Sequence, residues 1–178
     1  MSLKHALLGL IDLESGSGYD LSQRIRNSIG FFWPSTHQQI YKALHELLVE
    51  GCLDVEEEPQ QHRPDRRIYS INPRGREKLQ KWLDEPSQPT KIRDAFLIRV
   101  FCAHLWDQAH LLNQLQSGQH QHQQVLGRYQ RLAEHMDQWP EDRRNRYQYA
   151  RHTLQLGIYI EEAWQRWCLE LQELYAQK

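Results

Sequence analysis

The chain has 178 residues, enough for a compact head and a second helical part but short for two large domains. A quarter of its residues are charged and 39% are hydrophobic, and the formal net charge of −1 excludes a global basic field as the mark of a nucleic-acid partner. Any interaction with DNA must therefore rest on local motif and local charge.

Cys52, Cys102 and Cys168 stand far apart, which suits reduced thiols in a cytoplasm better than a disulfide framework. The start at Met1 lacks a signal-peptide pattern, and no apolar run approaches about 18 residues. A soluble, cytoplasmic protein with no membrane partner is expected.

Leu3, Ala6, Leu7, Leu10 and Ile11 fall at helical spacing and predict a first helix of about ten residues. The turn-forming stretch 14–18 stops it. A second short helix follows with Tyr19, Leu21, Ile25 and Ile29 as inward candidates, ending near Gly30. The aromatic hinge Phe31, Phe32, Trp33 and Pro34 cannot continue a helix. Ser35 or Thr36 then offers an N-cap, with Gln38 or Gln39 completing a capping box. In this third helix Ile40, Leu44, Leu47 and Leu48 form the buried stripe, and Gly51 closes it.

From there the period changes to that of a strand. Leu53 and Val55 alternate in one short strand, and Ile68, Tyr69 and Ile71 mark a second, with a polar loop over 58–66 between them. Asn72 and Pro73 read as N-cap and first residue of a fourth helix, whose apolar face is Leu79, Trp82 and Leu83. Three helices, a hairpin and a helix within about 85 residues is the order of a winged helix-turn-helix. A small α+β domain of another kind shares it.

Residues 86–90 read as a linker, and everything beyond as helix. Ile98, Phe101, Leu105, Ala109, Leu112 and Leu115 trace one face of a fifth helix stopping at Ser117 and Gly118. A His/Gln-rich turn over 119–124 leads to a sixth helix carrying Val125, Tyr129, Leu132, Met136 and Trp139. A long seventh helix begins after Pro140. There Ala150, Thr153, Gly157, Ile160, Trp164, Trp167, Leu171 and Leu174 recur at alternating spacings of three and four, beside a second stripe of Leu154, Ile158, Cys168 and Tyr175. So wide a seam suits pairing between two chains, with Ile160, Trp164, Trp167, Leu171 and Leu174 as its centre. A closed three-helix bundle is the alternative.

The chemistry-bearing residues gather at two places. Opposite the buried stripe of the third helix lie Ser35, Gln38, Lys42 and Glu46, with Gln39 and His37 on the flanks; Thr36 and Tyr41 complete the candidates for DNA contact. Glutamine pairs bidentately with adenine, hydroxyls bond phosphates, and the start of such a helix is the part that enters a major groove. The hairpin adds Arg63, Arg66 and Arg67, cations suited to phosphates and narrow minor grooves. Arg74, Arg76, Lys78 and Lys81 continue the densest basic stretch of the chain. No Gly-rich phosphate loop, G-x-S-x-G or H-E-x-x-H occurs, so no enzyme is expected. His120 and His122 lack a matching cysteine or carboxylate set, and neither a metal nor a cofactor is expected.

With these residues in place, the chain resembles the PadR family of transcriptional regulators over nearly its whole length. The resemblance rests on Leu7 to Leu10, Gly18 to Leu21, Phe32-Trp33 with Gln38-Gln39, Tyr41 and Leu44, and Glu50-Gly51. Pro64 to Arg67 with Tyr69 to Ile71, and Gly75-Arg76 with Leu79 and Trp82, complete it. Ile29-Gly30, Thr36-His37, Glu58 to Gln60, and Arg93-Asp94 with Phe96 make it most similar to the branch of the virulence activator AphA. Gln38-Gln39-Ile40-Tyr41 stands where many members begin this helix differently, so base preference does not transfer from them.

The resemblance implies a mainly α fold, an α+β winged helix-turn-helix head followed by an all-α C-terminal dimerisation domain of about three helices. The parts are expected at 1–85, 86–90 and 91–178. It implies a homodimer on a palindromic or near-palindromic double-stranded DNA site, with a recognition helix at about 35–50 in the major groove. The wing, at about 58–68, meets backbone or minor groove. A protein-interaction module on the same scaffold, or a switch responding to a small aromatic effector, are the alternatives.

Overall fold

The computed structural model describes residues 2–30, 32–59, 66–87 and 92–176. Its contacts divide the chain into two compact units, Met1–Ser87 with Asn145–Ala150, and Gln88–Arg144 with Arg151–Lys178.

The first unit opens with α1 (Ser2–Leu13), whose buried Leu7, Leu8, Leu10 and Ile11 give it one apolar face. A two-residue strand β1 (Gly16–Ser17) follows inside the stretch expected to be only a turn. Ser17 also caps α2 (Gly18–Asn27) through a reciprocal capping box with Asp20. α2 ends at Asn27 with Ser28 as C-cap, short of Gly30. Leu21 and Ile25 are buried as expected, whereas Tyr19 is 59% exposed. α3 (His37–Val49) buries Ile40, Ala43, Leu44 and Leu47. The chain then turns at Gly51, whose φ of +68° is open to glycine at little steric cost.

β2 (Leu53–Glu58) and β3 (Arg66–Ile71) form the hairpin, and the sheet order is β1-β3-β2, antiparallel throughout. Val55 faces Tyr69 across the hairpin, yet only Leu53 of β2 is buried. Val55, which alternates with Leu53 in the expected strand, is exposed, because β2 beyond Leu53 is open on both faces. α4 (Pro73–Leu83) starts as the sequence dictates: the Asn72 Oδ1 accepts from the Gly75 N–H at 3.0 Å, and Pro73 occupies the first helical position. Leu79 packs on the core and the Trp82 ring stacks on His5 at 4.5 Å, while Leu83 is exposed. One core of α1, α2, α3 and the β2–β3 base holds the unit together.

The second unit departs from the expected helix boundaries. α5 (Ala95–Phe101) is short and capped by Asp94, and a single 3-10 turn (Ala103–Leu105) follows. Asp107 caps a new helix, accepting from the His110 N–H at 2.7 Å. That helix, α6 (Gln108–Asp137), runs for 30 residues without a stop at Ser117 and Gly118 or in the His/Gln run. A lone glycine costs a helix only about 1 kcal/mol, and a Cβ at Gly118 would sit 3.5 Å from Phe96, so the small residue lets that ring come close. The break falls instead at 102–107. Ile98, Phe101 and Leu105 are exposed rather than inward, because they precede that break and belong to a different helix axis from Leu111 and Leu115.

α7 (Glu141–Ala176) has 36 residues and begins after Pro140 as expected. Leu111, Leu115 and Cys168 are the centre of a core that Phe96, Val100, Trp106, Trp167 and Leu171 surround. Burial in this apolar setting pushes the Cys168 thiol up, away from reactive thiolate. Two polar clasps fasten α6 to α7. Arg151 grips Asp137 with a bidentate pair at 2.9 and 3.0 Å, and the Nδ1 of His122 lies 2.6 Å from Glu161.

Candidate nucleic-acid interface

The start of α3 is built by its own side chains. The Thr36 hydroxyl accepts from the Gln39 N–H at 3.3 Å, and the Gln39 Oε1 accepts from the Thr36 N–H at 2.9 Å. Thr36 is thus the cap, while Ser35 donates to the Trp33 carbonyl at 3.3 Å and braces the approach. This occupies the Gln39 side-chain oxygen and leaves its NH2 group. His37, Gln38, Tyr41 and Lys42 are exposed on the face opposite Ile40, Leu44 and Leu47. Lys42 makes no ion pair among the described residues, although its charge is felt at Glu46 one turn on.

Tyr41 has a second task. A Cβ at Gly18 would lie 2.7 Å from its ring, so α3 seats this ring directly on the first residue of α2. Tyr19, next along, projects outward with its hydroxyl accepting from the Gln23 amide at 2.9 Å. The sequence reading placed it inside, although at two residues from Leu21 it lies about 200° round the helix, off the Leu21–Ile25 face. Phe32 and Trp33 are also exposed, and with Leu3, Ala43, Gln39 and Lys42 they border an open groove of about 570 Å3 along α3.

The wing is less bare than its arginines suggest. Arg63 lies outside the described residues. Arg66 pairs with Asp20 of α2 and reaches Glu58 at 3.9 Å, and Arg67 pairs with Glu57 at 3.1 Å. The hairpin register explains the last two pairings, since Glu57 faces Arg67 and Glu58 faces Arg66 across the strands. Behind the wing, Arg76 pairs with Asp12 at 2.7 Å, Lys81 with Glu77 at 2.6 Å, and Lys78 with Glu50. Most of the basic stretch is therefore locally neutralised, with Arg74 left out of any ion pair among the described residues.

Two carboxylates are tuned by these contacts. Hydrogen bonds from Lys4 and then Lys78 hold Glu50 below the usual carboxylate range. Burial alone would raise Asp20, but hydrogen bonds from Ser17 and then Arg66 outweigh it and lower this carboxyl.

On α7, Ile160 and Leu174 are exposed together with Leu156, Tyr159 and Leu169. Trp164, Trp167 and Leu171 are instead partly engaged inside the chain. The Trp164 ring stacks on His122 at 4.9 Å and meets Trp167 edge-on at 5.3 Å, and Trp167 meets Phe96 at 6.0 Å. The sequence seam therefore splits into an inner aromatic part and an outer aliphatic part. His120 contacts Gln124 at 2.9 Å, so the two histidines of the His/Gln run face different partners. No described helix is long and apolar enough to cross a membrane.

Comparison with known proteins agrees with this architecture. The family model "Transcriptional regulator PadR-like family" matches residues 7–81, and "Virulence activator alpha C-term" matches 92–176. The probable transcriptional regulator Rv1176c of Mycobacterium tuberculosis is 40% identical over 91 residues, covering 51% of this chain and only 48% of that protein. The chain thus spans about half the length of that relative. The negative transcriptional regulator PadR of Bacillus subtilis is 29% identical over 135 residues, covering 73% of this chain and 74% of that protein.

Solved structures extend the likeness over both units. The same PadR in complex with operator DNA aligns with a TM-score of 0.84 at 21% identity, over 98% of this chain and 99% of that one. In complex with p-coumaric acid it aligns with a TM-score of 0.77, over 99% and 96%. The Vibrio cholerae virulence activator AphA gives a TM-score of 0.74 at 24% identity over 99% of each chain. A winged-helix head and a helical C-terminal half, each matched by its own family model, give this chain the architecture of the PadR-like transcriptional regulators over both parts.

Proposed function

We propose that the chain is a sequence-specific DNA-binding regulator that works as a homodimer in the cytoplasm on a palindromic or near-palindromic operator. The observation that carries this reading is the outward face at the start of α3. There Gln38, Lys42 and His37 stand free of the core while the helix supplies its own cap from Thr36 and Gln39. In this reading 1–85 is the DNA-binding part, 86–90 the linker and 91–178 the dimerisation part. Gln38 reads a base edge, Lys42 and the NH2 of Gln39 approach the groove, and Ser35 and Thr36 lie nearest phosphate. The wing arginines meet the backbone or minor groove. The exposed aliphatic side of α7, with Ile160 and Leu174, is the surface offered to a second copy.

Fluorescence anisotropy with DNA from upstream of its own gene, over a range of salt, tests the reading. Specific binding is expected to weaken steeply with salt, and Gln38→Ala to lose about 1–3 kcal/mol of discrimination at one base pair. Equal affinity for upstream and scrambled DNA would refute it. Sedimentation at micromolar concentration tests the dimer: Ile160→Asp is expected to shift it toward monomer, and a monomeric wild type would remove that part of the proposal.

A second reading adds a small aromatic effector, supported by the B. subtilis PadR complex with p-coumaric acid. Addition of that acid is expected to change both tryptophan fluorescence and DNA affinity. No change in either rejects it as an effector of this chain.

A further inference from the structure

Asp20 sits at the start of α2, between the wing and the residue on which α3 rests. It is the third residue of α2, one position from the exposed Tyr19 and two from Gly18, on which the Tyr41 ring of α3 rests. Its Oδ2 accepts from the Ser17 backbone N–H at 2.9 Å, from the Ser17 hydroxyl at 2.8 Å and from the Arg66 guanidinium of the wing. Ser17 is itself fixed, because it lies in β1 and pairs with Ile68 of β3. Two donors of Ser17 thus hold the same carboxylate oxygen that Arg66 meets, and the group stands at a helix N-terminus, where negative charge is favoured.

The neighbouring arginine makes an internal contrast. Arg67 meets Glu57 through one contact at 3.1 Å, and both side chains are more than half exposed. That pair is exchangeable. Arg66 is more covered, and its partner is tied by two hydrogen bonds from Ser17. A guanidinium carries five N–H donors in a rigid fork. With one nitrogen on Asp20 and another facing Glu58 only at 3.9 Å, the fork keeps donors for a further anion.

We infer that Asp20 is a positioning residue for DNA binding: it fixes the Arg66 fork in advance so that the remaining donors meet a backbone phosphate. This rests on the DNA-binding reading given above. Arg66 has already given up rotamer freedom in the free protein, so its phosphate contact is gained with less ordering on binding. Asp20 does not touch DNA in this account. It acts through Arg66 alone.

The test is a double-mutant cycle read by anisotropy on the upstream DNA at several salt concentrations. Asp20→Asn keeps an acceptor for Ser17 and nearly the same volume but removes the charge. It is expected to weaken binding about 5-fold. It should also lower the slope of log affinity against log salt by about 0.9, the value of one phosphate contact. Arg66→Ala should give a loss of similar size and slope, and the double variant should be no worse than Arg66→Ala alone. Glu57→Gln should leave affinity unchanged or raise it.

Tighter binding by Asp20→Asn would make the carboxylate a competitor for Arg66 and overturn the inference. So would a full further loss in the Arg66→Ala background, which would mean that Asp20 acts through α2. If Asp20→Asn does not fold, Arg66→Lys decides, since it keeps the charge without the fork: a loss like that of Arg66→Ala supports positioning, and wild-type affinity overturns it. A wild type without salt-dependent binding would instead remove the DNA reading itself, which separates the two failures.

Discussion

Gly75→Ala and Gly9→Ala are the same chemical change on two helices, and the structure assigns them opposite signs. Gly75 is the third residue of α4 and is buried. A Cβ there would stand 2.2 Å from the Cys52 carbonyl oxygen, 2.8 Å from Ile71 Cγ1 and 3.1 Å from the Cys52 carbonyl carbon. The Cys52 oxygen is main chain, and the residue is pinned because its N–H donates to the Leu47 carbonyl at 2.9 Å. Relief needs more than an ångström of backbone movement, so the strain belongs at or above the upper end of ordinary overpacking, about 3 kcal/mol. Alanine returns about 1 kcal/mol through helix propensity, leaving a net loss of about 2 kcal/mol or more.

Gly9 lies in α1 with nothing within 4 Å of its Cβ position, so alanine there should stabilise by about 0.5–1 kcal/mol. Thermal unfolding followed by circular dichroism reads both. A chain of this size moves by roughly 2–4 °C per kcal/mol, so the variants should separate by at least about 5 °C in opposite directions from wild type. A Gly75→Ala variant as stable as wild type, or a Gly9→Ala variant that falls with it, would refute this steric reasoning.

Thr36→Ala should destabilise the protein by about 1 kcal/mol, measured by urea unfolding, because two reciprocal hydrogen bonds at the start of α3 are lost. Glu50 has a folded pKa below its ordinary 4.5, so its contribution is present above that value and lost as pH falls through the lowered one. Glu50→Gln should therefore flatten the acid limb below pH 4.5 by about 1 kcal/mol at most, since the pair is only partly buried. His5 behaves differently: burial and then Lys78 lower its pKa, so the unfolded chain binds its proton first. Stability should decline as pH drops below 6.5 toward the lowered value. The buried Nδ1 of His5 has no hydrogen-bond partner among the described residues, and Phe would keep the stack on Trp82. His5→Phe should thus abolish that decline in melts between pH 5 and 6.5, and an unchanged decline would assign it to another group.

What was legible in the sequence was local chemistry. Asn72 with Pro73, and Thr36 with Gln39, start helices because the signals lie within four residues; the first start was read directly, the second as one of two choices beside Ser35 with Gln38. The order of helices and strands in the head followed from such signals. Misreadings arose where two distant segments decide the outcome. Tyr19 is the exception, since two residues from Leu21 it falls off the Leu21–Ile25 face and its exposure was already legible in the spacing. The neutralisation of Arg66 and Arg67 depends on hairpin register and on α2, so a count of basic residues overstated the charge of the wing. In the second unit, Ser117 and Gly118 carry a local stop signal that long-range packing overrides, whereas the break at 102–107 is announced only by Asp107.

The capping box at the start of α3 also constrains how this protein can change. Thr36 and Gln39 serve the helix before they serve any partner, so most substitutions at either position pass through a stability penalty. Gln38 and Lys42 carry no such obligation, being exposed and outside the box. Divergence among descendants, or a library screened for new operator preference, should accordingly accumulate at 38 and 42 while 36 and 39 stay within cap-compatible alphabets.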